Sequence, residues 1–371
     1  MKSARLPHYG TGSGTPSIRR EFRFRARQAR VPVKAMLELT THCNLRCVHC
    51  YVVDKRRPEL PLERWLDLID ELADAGCFTV GLTGGEVGLR EDWLDIAAAV
   101  KRRRILLTIL TSGTDFSPAD LERLVALRPA QVCVSLYGAT AVAHDTVTRV
   151  RGSFDRAVAT LRTLVAAGIS CRVNSVLMKQ TIDHFENIAA LAESLGCSFM
   201  FDPTVAPCDD GSCGVVDLRV DAQRLRQFYL SELILPHSKE GKIARAVEPP
   251  DERVPGNCDA GFTTLFVNAS GELFPCMGFP PSFGTIDGAS LDSVWHSRVA
   301  EKHRAAMEKP LNDCIDCSLL SYCKGRCPRL ALVEHGDLSG ISERACELAS
   351  MTVEMRSRLR GGLEDQAISQ V

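Results

Sequence analysis

The sequence predicts an α/β protein in which a parallel sheet curls into a partial, TIM-like (β/α)6 barrel, followed by a small cysteine-rich region with a β-hairpin and a C-terminal helix. Three observations predict it. Strand-like and helix-like stretches alternate six times between residues 35 and 202, and parallel strands need crossover connections of that kind. At 371 residues the chain is too long for one ordinary core and fits a main domain plus a smaller one. Seven of its 16 cysteines fall after residue 257, where there is little room for a conventional core and metal would have to hold the chain together.

The first strand is expected at 35–40, a buried apolar run. The helix at 62–73 then carries the apolar period of Leu62, Trp65, Leu66, Ile69 and Leu72. A second strand at 78–83 leads to a helix over 93–102, and a third at 105–111 to a helix over 119–127. Ser117 and Pro118 supply that last helix with a cap and a first-turn proline. Strands at 132–136, 171–177 and 197–201 alternate with helices at 154–167 and 182–195. In a sheet of this kind the chemistry sits at the C-terminal ends of the strands. Residues 203–257 read as a bridging segment, with an irregular loop, a helix near 222–234 and a polar linker. The cysteine-rich domain follows over 258–350, and a C-terminal helix or tail over 351–371.

Composition narrows the class. Apolar content of 45% and charged content of 25% are those of a soluble globular protein, and no apolar run approaches a membrane span. The N-terminus lacks the features of a secretory signal, so cytoplasmic residence is the expectation. A net charge of −1 gives no support to nucleic-acid binding. Residues 1–34 form a basic arm containing Arg19, Arg20, Arg23, Arg25, Arg27, Arg30 and Lys34, preceded by Gly10, Gly12 and Gly14. It reads either as a solvated tail or as an arm for an acidic partner such as a peptide.

The cysteines cluster, and in a reducing compartment clustered thiols are more often metal ligands than disulfides. Cys43, Cys47 and Cys50 form C-x3-C-x2-C in the loop directly after the first strand. Three thiolates can ligate three irons of a four-iron cluster and leave the fourth open, the mark of a catalytic rather than a closed site. Zinc with His42 or His49 as a fourth ligand is the competing reading. The motif resembles the hallmark of the radical S-adenosylmethionine superfamily, C-x3-C-x-aromatic-C, with His49 at the aromatic position near the adenine. The resemblance continues at Thr83-Gly84-Gly85-Glu86, where the family carries a Gly-Gly-Glu motif, with Val87 in place of the usual proline. It implies close backbone approach to the ligand at the glycines and a Glu86 hydrogen bond to the methionine amino group. Ser135-Leu136-Tyr137-Gly138, His144-Asp145, Arg149 and Gly152-Ser153-Phe154 are similar to the fourth-strand region of members with auxiliary clusters. That likeness implies that Ser135 and Arg149 contact ribose and carboxylate. Thr111-Ser112-Gly113 stands where relatives have a turn beside the cofactor, which places Ser112 in the S-adenosyl-L-methionine site.

Downstream, Cys258 and Cys276 flank an expected hairpin over 263–274 that turns at Asn268-Ala269-Ser270-Gly271 and would bring the two thiols together. Cys314, Cys317, Cys323, Cys327 and Cys346 follow. The array resembles the SPASM extension. That resemblance implies one auxiliary cluster on Cys258, Cys276 and Cys327 and a second on Cys314, Cys317, Cys323 and Cys346, making three [4Fe-4S] clusters in all. The first auxiliary cluster lacks a fourth cysteine, since position 252 is Glu252; Cys208 and Cys213 are candidate donors or bystanders. Cys77, Cys133, Cys171 and Cys197 read as small core residues on strands.

Most relatives of this type act on peptides, so the resemblance implies a radical enzyme that abstracts hydrogen from a ribosomally made precursor peptide, leaving a crosslink, a dehydrogenation or a decarboxylation. An external reductant such as flavodoxin or ferredoxin is implied. Only 34 residues precede the first strand, too few for a winged-helix leader-binding module, so a separate recognition protein or the basic arm would have to do that work. A sulfatase-type protein maturase and a small-molecule radical dehydrogenase stay open, as does an iron–sulfur electron-transfer or scaffold protein. No catalytic acid or base is evident; Asp202, Asp209 and Asp210 lie near the active end but suit turns.

Overall fold

The computed structural model describes residues 18–231, 258–309, 314, 317–319, 327–338, 340–341 and 343–368. The expectations for the polar linker, for Glu252 and for Cys323 lie outside the described residues.

Six parallel strands form the expected sheet: β1 (Lys34–Glu38), β2 (Thr79–Thr83), β3 (Leu106–Thr111), β4 (Gln131–Ser135), β5 (Cys171–Val176) and β6 (Ser198–Asp202). They are laid side by side in chain order. Each crossover is a helix or a helix pair. After the N-terminal α1 (Ile18–Gln28) come α2 (Leu62–Asp74), α3 (Trp93–Arg102), α4 (Pro118–Leu127), α5 (Ala141–Thr148), α6 (Ser153–Ala166) and α7 (Phe185–Ser194). Strand residues Leu37, Leu82, Ile109, Val134 and Val173 are buried against Trp65, Leu68 and Leu72 of α2 and their counterparts on the other helices. Ser117 caps α4 with a capping box, its side chain accepting from Asp120 N while the Asp120 carboxylate receives the Ser117 N–H. Short α5 is absent from the expected pattern, because its eight residues show little apolar periodicity; Thr140 caps it by accepting from Ala143 N. The helix expected to reach 234 ends at Tyr229 (α8, Ala222–Tyr229).

The C-terminal part departs from the expectation of a region held together by metal alone. The expected hairpin forms as β7 (Thr264–Val267) and β8 (Glu272–Phe274), and β9 (Gly284–Thr285) adds a third strand. β7 pairs in parallel with β1, so one sheet of nine strands runs through both halves of the chain. An apolar hairpin and the open edge of β1 each present unpaired backbone groups, and joining them satisfies both. Leu265, Val267, Leu273 and Phe283, with Leu291 and Trp295 of α9 (Leu291–Trp295), enter the same core as β1 and α2. Among the described residues the remaining helices are α10 (Arg298–Met307), α11 (Pro328–His335) and α12 (Glu343–Ile368), the last packing Met351 against Leu225 and Phe228 of α8.

Part of the basic arm is a docked helix and not a solvated tail. On α1, Arg23 pairs with Asp259 at 2.8 Å, and Arg27 donates to the Cys258 carbonyl at 2.7 Å while lying 3.5 Å over the Phe262 ring. Arg30 pairs with Glu301 at 2.6 Å, and its carbonyl accepts from the Trp295 indole. The acidic partner of these arginines is the chain itself. Among the described residues no helix is long and apolar enough to cross a membrane.

Because β1 lies between β2 and β7, its apolar residues bind both halves of the sheet. Leu37→Ala is expected to lower unfolding free energy by about 2–5 kcal/mol in a single transition, read from denaturant unfolding.

Candidate active site

The C-terminal ends of β1 to β4 carry the sequence-predicted residues side by side. The loop after β1 begins by hydrogen bonding to the turn after β2, with Gly85 N donating to Thr40 O and Glu86 N to His42 O, both at 2.8 Å. A Cβ on Gly85 would stand 2.3 Å from His42 O, and one on Gly84 2.8 Å from Thr40 O. The glycines are therefore demanded by close approach of the cysteine loop's own backbone, a reason the sequence does not reveal. On its far side the loop bonds to the end of α5, through Arg46 N to Thr148 O and Val48 N to Val147 O, both at 3.0 Å.

Cys43, Cys47 and Cys50 are held half-buried in this loop. Burial pushes the Cys47 thiol up to about 12, and the neighbouring Cys43 and Cys50 add to the shift while Lys55 opposes it. Cys43 and Cys47, both raised by burial, are poor anions alone, and the three-thiol loop suits a cationic metal–sulfide core, which lowers thiol pKa on binding. Among the described residues no three His, Cys, Asp or Glu side chains are placed to hold one metal ion.

Glu86 is buried, and its carboxylate clamps the end of β2 to that of β3. Oε1 accepts from Thr111 Oγ1 at 2.5 Å, and Oε2 from Ser112 N at 2.7 Å and from the Ser112 hydroxyl. Burial raises its pKa against the pull of these donors. The Ser112 hydroxyl also lies 2.8 Å from Thr114 Oγ1. His49 packs edge-on against Tyr137 at 4.7 Å, and Tyr137 stacks with His144 at 5.6 Å. Burial drops the His49 imidazole to about 4, so it is neutral at pH 7, and its Nδ1 is buried without a hydrogen-bond partner among the described residues. A buried unpaired nitrogen costs free energy until a ligand meets it, which fits a nucleoside-bearing cofactor at this spot. Ser135 ends β4, hydrogen-bonded to Tyr137. Arg149 is exposed, in left-handed backbone at the end of α5, beside the Thr148 carbonyl that anchors the cysteine loop.

The second thiol group assembles where the hairpin and α11 meet. Burial raises Cys258 to about 11, with Cys276 and Cys327 close enough to raise it further. Of the other expected ligands, Cys314 is half-buried, while Cys317 and Cys346 are exposed. Cys208 turns its thiol to the Cys50 carbonyl at 3.7 Å, and Cys213 is exposed. Cys77, Cys133, Cys171 and Cys197 are buried in or beside the strands.

Two groups escape the sequence reading. Arg90 bridges the Leu39 carbonyl, Glu59 and Asp92, and Glu59 accepts from Thr40, so this network braces the start of the cysteine loop. Glu38 ends β1 with its carboxylate buried and receiving the Tyr51 hydroxyl at 3.1 Å. A carboxylate inside an otherwise apolar strand was the available signal for it.

Family models match twice: the Radical SAM superfamily over residues 37–192 and an iron-sulfur cluster-binding domain, SPASM, over 258–318. Mycofactocin maturase MftC of Mycobacterium ulcerans is 35% identical over 309 residues, which cover 80% of this chain and 83% of that protein. The chain belongs to the radical SAM superfamily. The subtilosin biosynthesis protein AlbA of Bacillus subtilis is 28% identical over 309 residues, 80% of this chain and 67% of its own. Among solved structures, Streptococcus suis SuiB bound to precursor peptide SuiA superimposes with a TM-score of 0.68 at 18% identity, covering 92% of this chain and 84% of SuiB. The cysteine loop stands at the C-terminal end of the sheet, and that sheet continues into the SPASM hairpin.

Two substitutions test this geometry. Gly85→Ala is expected to lower stability by about 1–3 kcal/mol and to reduce iron bound by the first cysteine group, read by unfolding and iron analysis. Arg27→Ala leaves the Cys258 carbonyl without its donor and should cost about 1–3 kcal/mol, with iron lost from the C-terminal cysteines and kept on Cys43, Cys47 and Cys50.

Proposed function

We propose that this radical SAM enzyme is a maturase of a ribosomally made precursor peptide, leaving a crosslink, a dehydrogenation or a decarboxylation in its substrate. The observation that carries the reading is the joining of three crowded thiols, the unpaired His49 nitrogen and the Gly84-Gly85-Glu86 turn at one end of the sheet. The names of the similar proteins, a mycofactocin maturase, a subtilosin biosynthesis protein and an enzyme seen with its precursor peptide, support a peptide substrate.

In this reading Cys43, Cys47 and Cys50 hold the first [4Fe-4S] cluster. Cys258, Cys276 and Cys327 hold a second, and Cys314, Cys317, Cys323 and Cys346 a third. When bound, the first cluster supplies the electron that cleaves S-adenosylmethionine to methionine and a 5′-deoxyadenosyl radical able to abstract hydrogen. The chain's own residues bind and orient. His49 offers its free nitrogen to the nucleoside, and Ser135 and Arg149 contact the ribose and the carboxylate. Glu86 shares its carboxylate between an arriving ammonium and Ser112, whose hydroxyl has Thr114 as an alternative partner. An external flavodoxin or ferredoxin delivers the electron.

Anaerobic reconstitution with iron and sulfide, then reduction with S-adenosylmethionine present, tests the reading. About twelve irons per chain and free 5′-deoxyadenosine are expected, with replacement of Cys43, Cys47 and Cys50 by alanine removing about four irons and all deoxyadenosine. Clusters that assemble and reduce without any cleavage would leave an electron-transfer protein and sink the maturase.

A further inference from the structure

Between the loop that carries Cys50 and the hairpin that leads to Cys276 lies a cavity of about 300 Å³ at the active end of the sheet. Three carboxylates, Glu38, Asp209 and Glu272, face it against one guanidinium, Arg57, with Tyr51 and Phe274 completing the wall. Arg57 is taken up by Asp209 at 2.7 Å. Glu272, on the exposed side of the hairpin, has the neutral amide of Asn268 at 2.9 Å. Glu38 is 2% exposed and bonded to the Tyr51 hydroxyl and the Ala269 backbone, with no salt bridge among the described residues. A carboxylate so placed resists ionising, and burial lifts it to about 7 although Tyr51, the Ala269 backbone and the charge of Arg57 pull the other way. A cation entering the cavity would reverse that balance, because a buried charge is tolerated once it is paired.

The four charged residues come from four separate segments: the end of β1, the cysteine loop, the loop after β6, and the SPASM hairpin. The cavity thus exists only when both halves of the chain are folded together, and it adjoins segments bearing both groups of cysteines. Its size admits one long side chain.

We propose that this cavity is a subsite for a cationic side chain of the peptide substrate, a lysine ammonium or an arginine guanidinium, with Glu38 as its buried counter-charge. The methylene stem would lie along Tyr51 and Phe274, leaving the adjoining peptide between the two cysteine groups. The proposal deepens the peptide reading and rests on it.

The probes are acetyl-Gly-Lys-Gly-amide and its norleucine counterpart, which keeps the stem and removes the charge. Binding of each to the reconstituted enzyme with S-adenosylmethionine is measured by saturation-transfer NMR. The lysine peptide should bind at least about tenfold more tightly, and Glu38→Gln should abolish the difference. Glu272→Lys, at an exposed position of the hairpin, supplies an internal cation and should abolish it as well, with folding of the variant checked by denaturant unfolding. Equal binding of the two peptides to the wild type, or a preference that survives both variants, overturns the subsite. Deoxyadenosine formation by the wild type is scored separately. Its absence alongside selective lysine binding would remove the radical chemistry and keep the subsite, whereas its presence with unselective binding would do the reverse.

Discussion

Everything at the active end of the sheet depends on how closely the backbone of residues 40–42 approaches that of residues 84–86. Two hydrogen bonds of 2.8 Å join them, and no side chain fits between at Gly85. Glu86 then extends the connection to β3 through Thr111 and Ser112. The ends of three adjacent strands are thereby locked, and the cysteine loop leaves β1 in one direction. A cluster site needs its thiols pre-positioned, since a displacement of about an ångström at a reacting centre is expensive in rate. Hydrogen bonds to Val147 and Thr148 secure the other margin of the loop, so α5 serves as a brace although the sequence scarcely announces it.

A second constraint is the double pairing of β1. As an inner strand it has β2 on one side and β7 on the other, which makes the SPASM hairpin a continuation of the barrel sheet. The shared core that follows, from Leu37 to Trp295, means the C-terminal half draws stability from apolar burial as well as from any metal it binds. It also sets Glu38, at the end of β1, beside the hairpin and the cysteine loop together. The buried carboxylate belongs to neither half alone.

The basic N-terminal stretch shows how charge that looks suited to an outside partner can be satisfied within the chain. Arg23, Arg27 and Arg30 meet Asp259, the Cys258 carbonyl, Phe262 and Glu301. The guanidinium of Arg27 makes a directed hydrogen bond and a cation–π contact at once, a combination that its planar, multi-donor fork suits better than a lysine ammonium. Its grip on the Cys258 carbonyl steadies the backbone that positions that thiol.

By itself the sequence determined the order of elements and where along the chain the cysteines gather. Apolar period and alternation are local properties, so the six strands, their main helices and the hairpin were legible to within about three residues. The cysteine loop after β1 was legible for the same reason, because the spacing of Cys43, Cys47 and Cys50 is set by a few consecutive residues. Only the tertiary structure decided which edge the hairpin joins, what Gly84 and Gly85 make room for, where the arginines of α1 dock, and that Glu38 shares a cavity with Tyr51 and Glu272. Each of these joins residues distant in sequence, from about 45 positions for Gly85 and Thr40 to more than 230 for Arg27 and Cys258. No local pattern encodes such a meeting; it follows from the sheet order, which forms when unpaired strand edges and apolar faces find one another in space.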